Sequence, residues 1–269
     1  MSAQKTAIVV GMTADIGRGL AERLLRDEWQ VIGVGRNLGR IADLRDVPGL
    51  ELRACDISSA DQVKRLTSSL GASGVKWDLF LSSVGTMEPI GRFFDLDFEA
   101  WRNSVEVNFI SQMRVLHALW PLRSKGRQID IMLLAGGGTN NPFRNYSAYC
   151  VSKIALIKMC ELIDDEALEA NIFIIGPGYT KTRIHDETLR AGPQAAGEGY
   201  RKTLEFLKTK GTTIDEIYDH MRWCMTLGRS VVGGRNLSTV HDAWRGGGAE
   251  LAQWLKANAD AFRLRRRQP

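Results

Sequence analysis

Tyr149 and Lys153 stand four positions apart in a run of helical pattern, so a phenol and an ammonium share one helix face. Free tyrosine has a pKa of about 10 and is a poor acid–base group at neutral pH. An adjacent ammonium favours the phenolate, and the pair becomes a candidate proton-transfer device. Tyr-x-x-x-Lys arises readily by chance, so its place in the chain decides its weight. Here it follows the fifth apolar run, where a helix can carry both groups to the carboxyl ends of a parallel sheet. That is the crevice in which open α/β sheets bind ligands.

A second constellation lies near the start, in Gly11-Met12-Thr13-Ala14-Asp15-Ile16-Gly17. Gly11 directly follows a strand-like run and Gly17 opens a helical one. Glycine permits the tight turn, and the helix N-terminus presents free N–H groups to a pyrophosphate. Asp15 occupies the place of the usual middle glycine, or Ala14 does if the spacing is read one residue shorter. A carboxylate facing pyrophosphate is repulsive, so the Asp15 side chain is expected to point away and serve as a first-turn acid. The alternative is a turn that binds its ligand in a shifted pose or not at all. After the second run comes Gly33-Val34-Gly35-Arg36-Asn37, with no acid for a ribose 2′-hydroxyl. The planar fork of Arg36 fits a 2′-phosphate, so NADP(H) is expected over NAD(H). The competing reading is an ordinary surface arginine.

The elements that must position these groups alternate along the chain. Apolar runs at Thr6–Val10, Val31–Val34, Leu50–Ala54, Asp78–Val84, Ile129–Leu134 and Asn171–Ile175 read as buried strands, with Asn236–Val240 as a seventh. Between them lie amphipathic stretches at Arg18–Glu28, Leu38–Arg45, Ala60–Leu70, Phe98–Leu122 and Ser147–Ala170, with a last helix from about Ala249 to Phe262. This alternation predicts a doubly wound, Rossmann-type α/β fold with a parallel sheet of about seven strands and helices on both faces. A single oxidoreductase domain over 1–269 is expected, with 183–230 as its substrate-binding segment. That segment reads equally as a lid or as a helical hairpin packed on the sheet edge.

Bulk properties narrow the function class. The chain has 269 residues, 44% hydrophobic and 25% charged, as in ordinary globular proteins, and no apolar run approaches membrane-spanning length. The four histidines lack metal-ligand spacing and the four cysteines form no C-x-x-C pair, which predicts no metal site and structural thiols in a reducing cytoplasm. The net charge of +5 comes partly from Arg263-Leu264-Arg265-Arg266-Arg267, read as a solvated terminus rather than a nucleic-acid or lipid contact. Neither nucleic acid nor membrane is an expected partner.

From Thr6 to about Thr182 the chain resembles the short-chain dehydrogenase/reductase superfamily, in its shorter single-domain branch. The resemblance implies that Gly11, Thr13, Ile16 and Gly17 form the pyrophosphate turn and that Arg36 and Asn37 lie at the adenosine phosphate. It implies that Asp56 and Ile57 flank the adenine and that Pro177, Gly178 and Thr182 line the nicotinamide. Tyr149 would be the general acid in reduction, Lys153 its partner and a ligand of the nicotinamide ribose, and Asn108 would hold a water near the lysine. The helices Phe98–Leu122 and Ser147–Ala170 match the family's dimerising pair, so a homodimer or homotetramer is implied.

Two departures stand out. The family's Asn-Asn-Ala-Gly appears as Ser82-Ser83-Val84-Gly85, which keeps Val84 and Gly85 at the cofactor but loses the amides. The family serine that hydrogen-bonds the substrate carbonyl, normally placed shortly before the tyrosine, falls in Ala135-Gly136-Gly137-Gly138. Thr139 is the nearest hydroxyl, with Asn140 beside it. The expected activity is NADP(H)-dependent hydride transfer between the nicotinamide and a carbonyl or secondary alcohol, on a sugar-derived or nucleotide-linked ketone. The alternatives are a cofactor-binding sensor or assembly subunit with little turnover, and an epimerase or dehydratase working by transient oxidation.

Overall fold

The computed structural model describes residues 4–266. Its frame is a parallel sheet of β1 (Thr6–Val10), β2 (Gln30–Gly35), β3 (Leu50–Ala54), β4 (Leu79–Ser82), β5 (Ile129–Leu134), β6 (Ala170–Gly176) and β7 (Asn236–Ser238). The strands lie in the order β3-β2-β1-β4-β5-β6-β7. Connections run one way from β1 to β3 and the other way from β4 to β7, so the crevice opens between β1 and β4. The predicted doubly wound fold is the observed one.

Period-two alternation splits each strand between two apolar layers. Ala7 and Val9 join one layer with Leu20, Leu24, Ile217 and Met221, while Ile8 and Val10 join the other with Leu66, Val115 and Leu156. Burying each such aliphatic side chain stabilises the fold by about 1.5–3 kcal/mol. On the first face lie α1 (Asp15–Arg26), α8 (Ile214–Leu227), α9 (Arg229–Val232) and α10 (Gly248–Ala257). On the second lie α2 (Ala60–Ala72), α4 (Ser111–Leu119) and α5 (Ser147–Glu166).

Several predicted bounds shift for local reasons. The β4 run ends at Ser82 rather than Val84, because Val84 leaves the ladder to line the cleft. At its other end Asp78 uses its carboxylate to accept from the Thr6 N–H at 2.9 Å. The helix read over Phe98–Leu122 is composite: α3 (Phe98–Val105), a π turn at Glu106–Ile110, α4, and a 3-10 turn at Trp120–Leu122. The segment after β6 divides into two parts. α6 (Ile184–Ala196), kinked at Gly192, and α7 (Glu198–Leu207) form a hairpin beside the cleft, whereas α8 packs on the sheet.

The basic run near the C-terminus is not simply solvated. Arg263 pairs with Asp164 at 3.2 Å, Leu264 packs on the second apolar layer, and Arg265 reaches Asp260 at 2.7 Å and also Glu161. Arg267 lies outside the described residues.

Candidate active site

A cleft of about 1210 Å³ runs along the carboxyl ends of β1, β2, β4, β5 and β6. It exceeds the roughly 300–1,000 Å³ of a single small-ligand site, as a cleft for a dinucleotide plus a substrate requires.

At one end the chain turns out of β1 into α1. Gly11 has φ +85°, open to glycine at little cost, and a Cβ on Gly17 would run into the Ser83 hydroxyl and the Gly11 carbonyl. The turn is therefore built for close backbone approach. The N-cap residue of α1, Ala14, offers no side-chain acceptor, so the first-turn N–H groups stay free for an anion. A pyrophosphate fits this cradle. Thr13 and Ile16 line the wall, and Gly17 lies behind it, buried against Gly11 and Ser83.

Arg36 lies just past β2 and shares a small recess with Thr13, Asn37 and Arg40. Asn37 caps the 3-10 turn Leu38–Leu44, its Oδ1 accepting from Gly39 N at 3.2 Å. Arg40 was not singled out from sequence. The available signal was a second arginine four positions after Arg36 on the turn that follows β2. Asp56 accepts from the Ser58 N–H at 3.0 Å, which fixes its carboxylate beside Ile57 on the cleft wall.

In the middle of the cleft, α5 carries Tyr149 and Lys153 onto the wall, with Lys153 Nζ 5.6 Å from the centre of the Tyr149 ring. Nζ donates to the Leu134 carbonyl at 2.9 Å, at the carboxyl end of β5. The Tyr149 hydroxyl makes no hydrogen bond to another described residue, although the ring is only 6% exposed. Burial, helped by the nearby Cys150 and Glu187, pushes its pKa above the ordinary phenol value.

Burial pulls Lys153 down from 10.5 to about 8. Between those values the unfolded chain binds the extra proton and the folded one does not, so this group makes stability rise with pH. A Lys153→Met protein should therefore be more stable than its parent at pH 7. Its advantage should shrink by about 2 kcal/mol by pH 9.5. Chemical denaturation at the two pH values reads this, and a constant gap would show that the ammonium is not strained by burial.

Asn108 sits in the π turn, fully buried behind the wall. Its Oδ1 accepts from Thr86 N at 2.8 Å and its Nδ2 donates to Thr86 O at 2.9 Å and to Ser104 Oγ at 3.1 Å. Its main-chain carbonyl accepts from the Gln112 amide. A methyl placed on Gly85 would lie 3.6 Å from Asn108 Oδ1 and 3.7 Å from Lys153 Nζ, so the two groups flank that glycine. With its amide engaged by Thr86 and Ser104, Asn108 shapes the loop after β4 and is not displayed in the cleft.

Val84, Gly85, Thr139, Pro177, Gly178 and Thr182 all line the cleft. Gly136 faces Tyr149 so closely that a Cβ there would overlap the phenol, with ring carbon Cε1 at 2.8 Å. Glu187, on α6, went unnoticed in the sequence. Its Oε2 accepts from Thr86 Oγ1 at 3.0 Å and from Met87 N at 2.5 Å, and burial holds its pKa above the usual carboxylate range. Nothing local marks it, because its partners are about a hundred residues away in sequence. Among the described residues no group of three or more His, Cys, Asp or Glu could hold a metal ion, and no helix is long and apolar enough to cross a membrane.

A family model described as short chain dehydrogenase matches residues 5–191, well over half of the chain. The protein belongs to the short-chain dehydrogenase/reductase family. Members of that family are NAD(P)-dependent oxidoreductases, and this chain is one of them. A 7beta-hydroxysteroid dehydrogenase of Mediterraneibacter gnavus is 24% identical over 250 residues, 88% of this chain and 89% of that protein. The crystal structure of a short-chain dehydrogenase/reductase from Saccharomyces cerevisiae superposes with a TM-score of 0.80 at 19% identity, covering 90% of this chain and 98% of that one. Pseudomonas aeruginosa RhlG, solved as an NADP complex, gives a TM-score of 0.72 at 20% identity, covering 88% and 95%. The short-chain dehydrogenase/reductase match ends inside α6, so α7 and α8 lie beyond it.

Proposed function

We propose that the protein is an NADP(H)-dependent oxidoreductase that interconverts a carbonyl and a secondary alcohol on a polar substrate. The observation that carries this reading is the unbonded Tyr149 hydroxyl in the cleft, with Lys153 held beside it by the Leu134 carbonyl. The nicotinamide, when bound, supplies or accepts the hydride, and the protein contributes position and field. Gly11, Thr13, Ile16 and Gly17 would hold the pyrophosphate through backbone N–H groups, with Asp56 and Ile57 beside the adenine. Pro177, Gly178 and Thr182 would border the nicotinamide. Tyr149 would pass its proton to the substrate oxygen in reduction, and the Lys153 ammonium would ease the phenolate that remains. The hydroxysteroid activity named for the Mediterraneibacter gnavus protein is chemistry at an alcohol carbon, which supports the reaction class.

Segment 183–230 would choose the substrate. Glu187, Arg190, Lys202 and His185 give its side of the cleft a polar, mixed-charge wall, which favours a hydroxyl-rich or nucleotide-linked ketone over a purely apolar one. The exposed Phe94, Phe98, Ile110 and Val151 supply apolar surface around α3, the π turn and α5 for a homodimer or homotetramer. A mass from light scattering at micromolar concentration tests that assembly. A cytoplasmic location accords with four unpaired cysteines.

Cofactor choice is the first test. Fluorescence titration should show NADPH binding at least about tenfold more tightly than NADH, because Arg36 and Arg40 form a cationic recess for a 2′-phosphate. Arg36→Asp should remove or reverse that preference. Equal affinities in the parent, or a preference untouched by Arg36→Asp, would refute the NADP(H) assignment. The second reading, a cofactor-binding protein without turnover, draws on Gly136, a glycine packed against Tyr149 where the resemblance implies a serine. It would be favoured by NADPH binding without turnover across a ketone panel.

A further inference from the structure

Asp15, which appeared as a liability in the dinucleotide turn, has a specific partner. Its Oδ1 accepts from Arg183 Nε at 3.0 Å and its Oδ2 accepts from the Arg183 backbone N–H at 2.7 Å. The same guanidinium donates through Nη2 to the Thr13 carbonyl at 2.6 Å. Three hydrogen bonds thus join the turn after β1 to the residue that opens α6, across 168 positions of sequence. Both ends line the same cleft.

The geometry settles where the charge of Asp15 goes. The carboxylate is turned sideways onto Arg183, which neutralises it and leaves the first-turn N–H groups of α1 uncapped. The Arg183 side chain remains 53% exposed, and two of its three nitrogens are spoken for. Its orientation is therefore fixed while N–H donors remain free on its outer edge.

We infer that Asp15 and Arg183 form a clasp across the dinucleotide cleft, in which Asp15 is a positioning residue that presents the Arg183 guanidinium to the cofactor pyrophosphate and slows cofactor release. This rests on the nicotinamide-cofactor reading above. A guanidinium held rigid by a carboxylate offers charge-assisted hydrogen bonds to a diphosphate with little ordering left to do. Because the bridge ties the glycine turn to the start of the α6–α7 hairpin, a dinucleotide lodged beneath it leaves only when the bridge opens. The turn has thus exchanged a glycine for an ion pair that completes the anion site from the opposite wall.

The test is stopped-flow release of NADPH from the full-length protein and from Asp15→Gly, Asp15→Asn, Arg183→Met and the Asp15→Gly/Arg183→Met double variant. Each single variant should release NADPH about tenfold faster, and the double variant should be no faster than Arg183→Met, because the two residues act as one unit. Release at the parental rate overturns the clasp, as does tighter binding in Asp15→Gly, which would mean that Asp15 merely repels the diphosphate. Amide exchange across 183–190 without any cofactor gives an independent readout. It should accelerate in Asp15→Asn, which keeps the side chain's size, and unchanged exchange refutes the tie. If the parent binds neither NADPH nor NADH, the cofactor reading itself falls. Parental binding with unaltered release in the variants sinks the clasp alone.

Discussion

A Tyr149→Phe protein should bind NADPH as its parent does and turn over its ketone at least about 10³-fold more slowly. The change removes one oxygen. The ring keeps its packing among Met87, Ile90, Tyr146 and Ala196, so the fold has no reason to move. No hydrogen bond to a described residue is lost with the hydroxyl, and the deficit should fall on kcat with cofactor affinity spared. Lys153 cannot stand in for the missing acid, because its ammonium is directed at the Leu134 carbonyl. Steady-state kinetics beside a cofactor titration separate the two effects. Retention of more than about a tenth of the parental kcat would remove Tyr149 from the proton path. Tyr146 is a poor substitute, being fully buried with its hydroxyl donating to Thr188 Oγ1 at 3.1 Å.

Restoring a serine at position 136 should do harm. If Gly136 stands where the family keeps its serine, as the resemblance implies, sequence logic alone recommends Gly136→Ser as a repair. The structure argues the opposite, because a Cβ at Gly136 would overlap the Tyr149 hydroxyl and press on its ring. The phenol would have to swing away from Lys153 and from the site of reaction. A misplacement of about 1 Å at a reacting group costs on the order of 10²-fold in rate, and Gly136→Ser should lose at least that much. Gly136→Ala should lose a similar factor, since the clash begins at Cβ. A serine variant faster than its parent would mean that Tyr149 yields readily and that the missing hydroxyl was the real deficit. Both outcomes are read from kcat on a single ketone, with NADPH affinity as the control for folding.

What could be read from the chain, and what could not, divides along sequence distance. Strands β1 and β5 fall where their apolar runs begin and end, because a strand buried on both faces needs little beyond its own composition; β3 also keeps its bounds, but as a sheet-edge strand with no fully buried residue. The Tyr149–Lys153 spacing is likewise a local fact, fixed by helical period. The π turn at Glu106–Ile110 is different: one extra residue in a helical turn changes no composition, yet it decides that Asn108 faces Thr86 and Ser104. The Arg183 partner of Asp15, and Glu187 altogether, were missed because the contacts of Asp15 with Arg183 and of Glu187 with Thr86 form only through the folded sheet. Gly136 is the intermediate case. Its lack of a side chain is plain in the sequence, but that the vacant volume belongs to Tyr149 is a fact of packing.

The α6–α7 hairpin is fastened differently from the rest of the molecule. Ile184, Ala191, Ala196 and Tyr200 join a small apolar cluster around Tyr146, Phe206 stacks on Tyr179 with ring centres 4.6 Å apart, and polar anchors include Glu187 to Thr86 and Met87, Asn145 to the Ala195 carbonyl, and Arg183 to Asp15. None of its residues joins the two main apolar layers, whereas Tyr149 and Lys153 are rooted in a helix braced by the main sheet. Local opening of such a weakly anchored unit costs a fraction of global unfolding. Local opening of the hairpin would leave β1, β4 and β5 intact, so the site would admit a bulky ligand without loosening the groups expected to act on it. Traffic through the site would then follow the hairpin's own opening equilibrium, a quantity set by one small apolar cluster, one aromatic stack and a handful of polar contacts, and separable from the stability of the sheet beneath.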